Sequence, residues 1–414
     1  MKKLLFILMF ASVLLNAQSV LYTMPAEDMQ HEATWLQWPH NYTYPQWYWQ
    51  EEHEPAFIQI VAALESGENV HIIVYDLNEQ THVQQVLAAA SVPLTNIDFY
   101  IHPNDDYWVR DNGPIFVYDA KNDLTILDFG FNGWGGDAPY ALCNQIPTLL
   151  SADLTLPVVD LSDMVLEGGS IEIDGNGSVM LTRSSITAVD RNPNLTESQI
   201  ENYMTTYLGL TNFIWLDGQF GGTLDITDMH IDGFAKFVDS ITIITMSNAD
   251  LTYWGLSNAD ITTLTSATDL NGTPYSYITL PLTQNDVTTS WGGNVQFKGS
   301  YVNYYIANDA VLVPIYNDPN DSTALGIIQG LYPNKTAVGI ECSNMFYEGG
   351  MVHCVTQQQP IDLNSTSILE TNLENKKLLK VVDVLGRTMN KIKNQINFYI
   401  FDDGSVEKKM QINE

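Results

Sequence analysis

One order of elements recurs along this chain: strand, helix, strand, then a strand pair joined by a tight turn. Glu51–Glu65 carries apolar residues Ala56, Ile60, Ala63 and Leu64 at helical spacing. Asn69–Tyr75 reads as a β-branched strand, Glu79–Ala90 as a helix and Asn96–Ile101 as a strand. Ile115–Tyr118 and Leu124–Phe129 pair across Lys121-Asn122-Asp123. Later, Ser170–Ile173 and Ser178–Thr182 flank Asp174-Gly175-Asn176-Gly177. Glu197–Leu208 reads as a helix capped by Thr196, and Asn212–Leu216 as a strand. Tyr301–Ile306 and Ala310–Ile315 predict a hairpin, Ser322–Leu331 a helix and Thr336–Glu341 a strand. Such a repeated unit, with polar motifs at its strand ends, predicts a closed, pseudo-symmetric α/β assembly. Its loops would converge on one face.

The ends of the chain read differently. Lys2 and Lys3 precede an apolar run, Leu4–Leu15, and then Asn16-Ala17-Gln18; residues 1–18 read as an export signal. That run is too short to favour a membrane span, and no other apolar stretch is long enough. The expectation is a secreted or cell-surface protein. From Ser19 to Pro360 there are 41 acidic and seven basic residues. A field this negative repels nucleic acid and attracts small cations. After Pro360 the composition changes: residues 361–369 form a polar linker, and 361–414 as a whole balance eight basic against eight acidic residues. Within 370–414, Lys377–Val384, the turn Leu385-Gly386-Arg387, Ile396–Phe401 and Asp402-Asp403-Gly404 predict a small β-module. The cysteines are Cys143, Cys342 and Cys354, so at least one thiol is unpaired within the chain, and a Cys143–Cys342 bridge stays open.

Three polar motifs could carry chemistry. Cys354 follows Glu348-Gly349-Gly350-Met351-Val352-His353 and precedes a polar run. A thiol so placed is a nucleophile if a His and carboxylates converge on it. Asp105, Asp106 and Asp111 cluster around Trp108 and Arg110, ahead of Gly113-Pro114. A carboxylate beside an aromatic ring suits a planar cation, through paired hydrogen bonds and stacking. Arg110 could equally pair with a neighbouring acid. His230 and Asp232, two apart, share a face in extended chain, which suits an acid/base beside a substrate-holding carboxylate. Glu167 precedes Gly168-Gly169, where the backbone can approach a ligand closely. A zinc site drawn from His353, Cys354, His230 and Asp232 matches no standard ligand spacing.

Together these motifs resemble the agmatine deiminase and bacterial peptidylarginine deiminase family, over roughly Met24 to Pro360. The matching segments are Met24-Pro25-Ala26-Glu27, His31–Trp35, Trp38-Pro39-His40, Asn104–Pro114, Phe131–Gly136, Glu167–Gly169, His230–Asp232, Ser300–Asn303 and His353–Pro360. The resemblance implies a five-bladed α/β propeller, the pentein fold, and cofactor-free hydrolysis of a guanidinium group. It implies Cys354 as nucleophile, His230 as general acid and base, Asp111 and Asp232 as guanidinium-holding carboxylates, and Glu167 as support for His230. Trp108 and Asn303 would line the substrate pocket. The first expected reaction is agmatine to N-carbamoylputrescine and ammonia through a covalent thiouronium. Peptidyl or free arginine is the alternative, and a non-enzymatic surface binding protein a third reading. Two positions depart from the pattern: Ile226 stands where an acid often serves the far amine, and Met229 where Gly is common. Asp225 and Asp228, beside them, are the expected substitutes for that acid. The tail is similar to the sorting domain of type IX secretion substrates, which implies that machinery as a partner; homo-oligomerisation stays open.

Overall fold

A computed structural model of the chain describes residues 20–44, 48–220, 225–364, 378–382, 396–401 and 406–410. The expected export signal, most of the expected linker and the expected turns at Leu385-Gly386-Arg387 and Asp402-Asp403-Gly404 lie outside the described residues. The chain divides into two compact units after Ile361.

The first unit is an α/β propeller of five sheets, each built to one plan. A central strand pairs antiparallel with one neighbour and parallel with the next. A helix or a long connection makes each parallel crossover, because parallel neighbours cannot be joined by a tight turn. The first sheet runs Gln357–Pro360, His31–Gln37, Asn69–Val74, Ile97–Ile101. The second runs Tyr22–Thr23, Ile115–Asp119, Leu124–Gly130, Val158–Val165. The third is Asn212–Leu216, Ser178–Thr182, Ile171–Ile173; the fourth Ala235–Asp239, Thr242–Met246, Ser276–Leu280; the fifth Tyr305–Ile306, Ala310–Ile315, Thr336–Glu341. Gln357–Pro360 pairs antiparallel with His31–Gln37, Gln357 opposite Trp35, so both ends of this unit share one sheet.

Local sequence explains these elements. In the helix Tyr48–Leu64, Ala56, Phe57, Ile60, Val61 and Leu64 form one buried stripe, packed in the same core as Val70, Ile72 and Val74. Burying a side chain of that size stabilises by about 1.5–3 kcal/mol. Thr196 and Gln199 close a reciprocal capping box on Glu197–Leu208, and Gly209 ends that helix at φ 75°.

Some elements were not anticipated. Val158–Val165 and the whole fourth sheet escaped the periodicity reading. The expected Tyr301–Ile306 strand shrinks to Tyr305–Ile306, because Ser300 to Tyr304 form a tight turn in which the Tyr304 amide bonds the Val302 carbonyl. All three cysteines are free thiols, Cys143 and Cys342 buried, so no bridge joins them. In the second unit, Leu378–Val382, Ile396–Phe401 and Val406–Met410 form an antiparallel sheet. No helix among the described residues is long and apolar enough to cross a membrane.

Candidate active site

The turn before the inner strand of each sheet supplies the site. Asp111 lies in the helical turn Val109–Asn112, ahead of Ile115–Asp119. Glu167 caps the turn Gly168–Ser170, ahead of Ile171–Ile173. His230 and Asp232 sit at the turn Ile231–Gly233, ahead of Ala235–Asp239. Asn303 precedes Tyr305–Ile306, and Cys354 lies in the turn His353–Val355, ahead of Gln357–Pro360. The five-fold repeat of the backbone thus gathers five sequence-distant loops.

Gly169 marks where they meet. A Cβ built there would lie 2.6 Å from His230 Nδ1, 2.9 Å from Asp111 Oδ1 and 3.0 Å from Asp232 Oδ2. Only glycine fits. Its amide donates to Asp111 Oδ1 at 3.0 Å, while Trp134 Nε1 donates to Asp111 Oδ2 at 2.9 Å. His230 Nε2 meets Glu167 Oε2 at 2.7 Å, leaving Nδ1 3.6 Å from Asp111 Oδ1. Glu167 is held in turn by Arg191 Nε at 3.1 Å. The Cys354 thiol lies 3.9 Å from Asp232 Oδ2, and Asn303 Nδ2 donates to the sulfur at 3.4 Å.

Burial and charge set the protonation states. Burial works against a charged His230, but Asp111 and the Glu167 hydrogen bond overcome it and raise the imidazole to about 9. At neutral pH it is an acid holding its proton. Burial pushes Asp111 up to about 6, against the pull of His230. Burial also favours neutral Asp232, yet the His353 hydrogen bond and charge bring it below the usual carboxylate range. Burial, then Asp232 and Asp111, push the Cys354 thiol well above its ordinary range. The empty site therefore disfavours a thiolate, and a cation between the two carboxylates would remove that obstacle.

Cys354 and Asp111 open into a cavity of about 390 Å³. Tyr44, Trp49, Trp108 and Trp134 supply its aromatic walls, and Asp106, Asp137 and Glu348 its remaining charges. Trp108 is therefore a wall, as expected, pressed so closely on Gly350 that a Cβ there would fall 2.2 Å from the ring. Asn303 is not a wall: it binds the thiol and the His353 amide instead. Asp228 and Asp225 do not serve the pocket either. Asp228 pairs with Arg191 at 2.6 Å, and Asp225 accepts the Thr227 and Met229 amides, closing its own turn. Asp228 and Met229 have φ of 54° and 68°, a left-handed reversal that adjacency to His230 does not reveal. Their neighbour Ile226 lines the cavity, and the acids there come from the loops of Asp106 and Asp111, of Asp137 and of Glu348.

Arg110 bonds the His353 carbonyl at 3.2 Å and Gln358 Oε1 at 2.9 Å, not the nearby aspartates. Sequence reasoning gave no role to Glu27, Glu172 and Lys236, whose charged ends meet His353 beside Asp232. The Met24–Glu27 motif was the available signal. Glu27, Glu172 and His353 are close enough to hold a metal ion, but the Lys236 ammonium stands 2.9 Å from both glutamates and 3.3 Å from His353 Nε2. A resident cation of the protein fills that place. The zinc reading, set aside on its spacing, would draw on a His353 already engaged on both ring nitrogens.

The description of the Porphyromonas-type peptidyl-arginine deiminase family matches residues 23–360. The agmatine deiminase of Pseudomonas aeruginosa is 30% identical over 363 residues, 82% of this chain and 95% of that one. The solved agmatine deiminase of Enterococcus faecalis superposes with a TM-score of 0.71 at 27% identity, covering 83% of this chain and 96% of that chain. The chain belongs to the Porphyromonas-type peptidyl-arginine deiminase family, and so to the hydrolases that act on amidino C–N bonds.

Proposed function

We propose that the protein deiminates a small cationic guanidine, agmatine first, through a covalent intermediate on Cys354. The observation that carries this reading is the lining of the cavity. A thiol and the Asp111 carboxylate stand at one part of it, and every charged residue described along its wall is acidic: Asp106, Asp111, Asp137 and Glu348. Arginine would bring a carboxylate into this wall, where no Arg or Lys is described to receive it. Agmatine brings an ammonium. Burial raises Asp106 to about 7 and raises Glu348 too, as expected for acids waiting for a cation.

The chemistry follows from the geometry. The guanidinium, entering between Asp111 and Asp232, cancels the charges that hold the thiol protonated, and the thiol proton leaves to solvent. The thiolate bonds to the guanidinium carbon. His230 gives its proton to one nitrogen, the C–N bond breaks and ammonia departs, leaving an S-alkylthiouronium. Water then gives a proton to His230 and its oxygen bonds to the same carbon. The C–S bond breaks, the new hydroxyl loses its proton, and the ureido product leaves with the thiolate restored. Fixing the planar cation on two carboxylates supplies the orientation this poor electrophile needs.

Ammonia release measured against agmatine, free arginine and an arginine peptide tests the reading. The expected result is a kcat/KM for agmatine at least ~10-fold above that for arginine, about 1.4 kcal/mol of transition-state discrimination. Efficient turnover of arginine or peptidyl arginine, with agmatine untouched, overturns the substrate. The basic start and apolar run of residues 1–18 support export, and the likeness of the tail to secretion sorting domains supports delivery by that machinery. Deleting 361–414 and locating the protein in its host tests both.

A further inference from the structure

Cys354 is preceded by a buried histidine whose two ring nitrogens both face carboxylates. His353 Nδ1 is 2.8 Å from Asp232 Oδ2, and Nε2 is 2.7 Å from Glu27 Oε2. Each ring nitrogen is thus tied to a carboxylate, and the Lys236 ammonium also stands 3.3 Å from Nε2. The backbone is pinned as firmly: the His353 amide donates to Asn303 Oδ1 at 3.0 Å, and its carbonyl accepts Arg110 Nε. We propose that His353 is a positioning residue, held by Glu27 and Lys236, that fixes the Asp232 carboxylate in the orientation from which it grips the guanidinium. The proposal rests on the reading above that Asp232 holds substrate.

Three features carry it. Asp232 Oδ2, the oxygen that His353 holds, is also the one that lies 3.9 Å from the Cys354 thiol, so His353 sets the carboxylate edge that faces the reacting sulfur. Glu27 lies more than 200 residues from Asp232 in sequence, yet its Oε1 accepts the Ile306 amide at 2.9 Å and its Oε2 meets both His353 and Lys236. That accounts for the Met24–Glu27 motif, which the reaction itself does not use. Finally, the cluster is an expensive way to build a core. Lys236 is 1% exposed and His353 and Asp232 are each 2% exposed. Burying so many charges gives little net stability over apolar packing, so its orientation of one carboxylate is the better reason for it. The charged groups facing His353 are Asp232, Glu27, Lys236, Glu172 from Ile171–Ile173, and Arg110, whose Nη2 is 3.9 Å from Glu27; the Tyr305 ring stands 6.4 Å away.

The test is steady-state kinetics against pH on the full chain, with agmatine and arginine as parallel probes. The variants are His353→Phe, His353→Gln, Glu27→Gln and Asp232→Asn. For His353→Phe we expect KM to rise at least ~10-fold with a smaller fall in kcat. The acidic limb of kcat/KM should steepen toward two protons, as Asp232 loses the partner that keeps it ionised. His353→Gln keeps a donor near Asp232 and should recover part of the KM, and Glu27→Gln should move both readouts in the same direction, less far. A merely structural role would lower the folded fraction without steepening that limb. His353→Phe with parent KM and limb, or Glu27→Gln with them should the first not fold, overturns the proposal provided Asp232→Asn is inactive. Asp232→Asn with parent kinetics overturns instead the substrate-holding reading beneath it.

Discussion

Replacing Asp232 with asparagine should make the thiol easier to ionise while making the enzyme worse. The Cys354 sulfur lies 3.9 Å from Asp232 Oδ2. Two unit charges at that distance interact by about 4 kcal/mol at an effective dielectric near 20. His353 opposes the same carboxylate and trims the effect, so the thiol gains only part of that Coulomb energy. The sign is fixed: an anion beside a thiol raises its pKa, and removing the anion lowers it. The assay is alkylation of the substrate-free protein by iodoacetamide across pH, read at Cys354 by mass spectrometry. The alkylation midpoint should drop, while turnover falls by several orders of magnitude because the guanidinium has lost a charged partner. An unchanged or higher midpoint refutes the account of the site's electrostatics, whatever happens to turnover.

Cys354→Ser should abolish ammonia release with the thermal midpoint little changed, since a hydroxyl lacks the acidity and nucleophilicity of a thiolate; retained turnover ends the covalent route. Gly169→Ala should cut kcat at least ~100-fold in a folded protein, because its Cβ would fall within 3.0 Å of His230, Asp111 and Asp232. For pH, Asp111 is raised to about 6, so its anion is lost as pH falls through about 6, and kcat/KM should decline there; His230, raised to about 9, should give the alkaline limb as its proton is lost. A profile flat down to pH 5 contradicts the Asp111 assignment. A chain ending at Ile361 should keep full activity, since the first compact unit holds every residue of the site; an inactive or insoluble truncation shows that the tail supports the catalytic unit.

The candidate site was legible because loop residues that packing does not select stand out. Cys354 stands after a glycine pair, His230 and Asp232 are two apart, and Asp111 follows a tryptophan, none of which periodic packing would select. The strand–helix alternation was legible where β-branched runs alternate with amphipathic ones, as at Asn69–Val74 and Glu197–Leu208. It failed at the fourth sheet, where Ala235–Asp239 hides the buried Lys236 and reads as a mixed segment. Direction was the other gap. Asp225 and Asp228 flank the site in sequence, but a left-handed reversal at Asp228 and Met229 gives them to Arg191 and to their own turn. The Glu27–His353–Asp232 series joins three distant parts of the chain through side chains alone, and no local pattern records such a meeting.

The pairing of Gln357–Pro360 with His31–Gln37 makes the order of synthesis matter. Cys354 lies three residues ahead of that last strand, so its turn joins the other four only when the ring shuts. A nascent chain that has not yet released residues 354–360 carries four of the five contributing turns and no complete site. Contacts spanning more than 300 residues also form slowly, since the loop must close before they reward it. Completion is thus the on-switch, and the onset of ammonia release during refolding reads out closure of the ring itself.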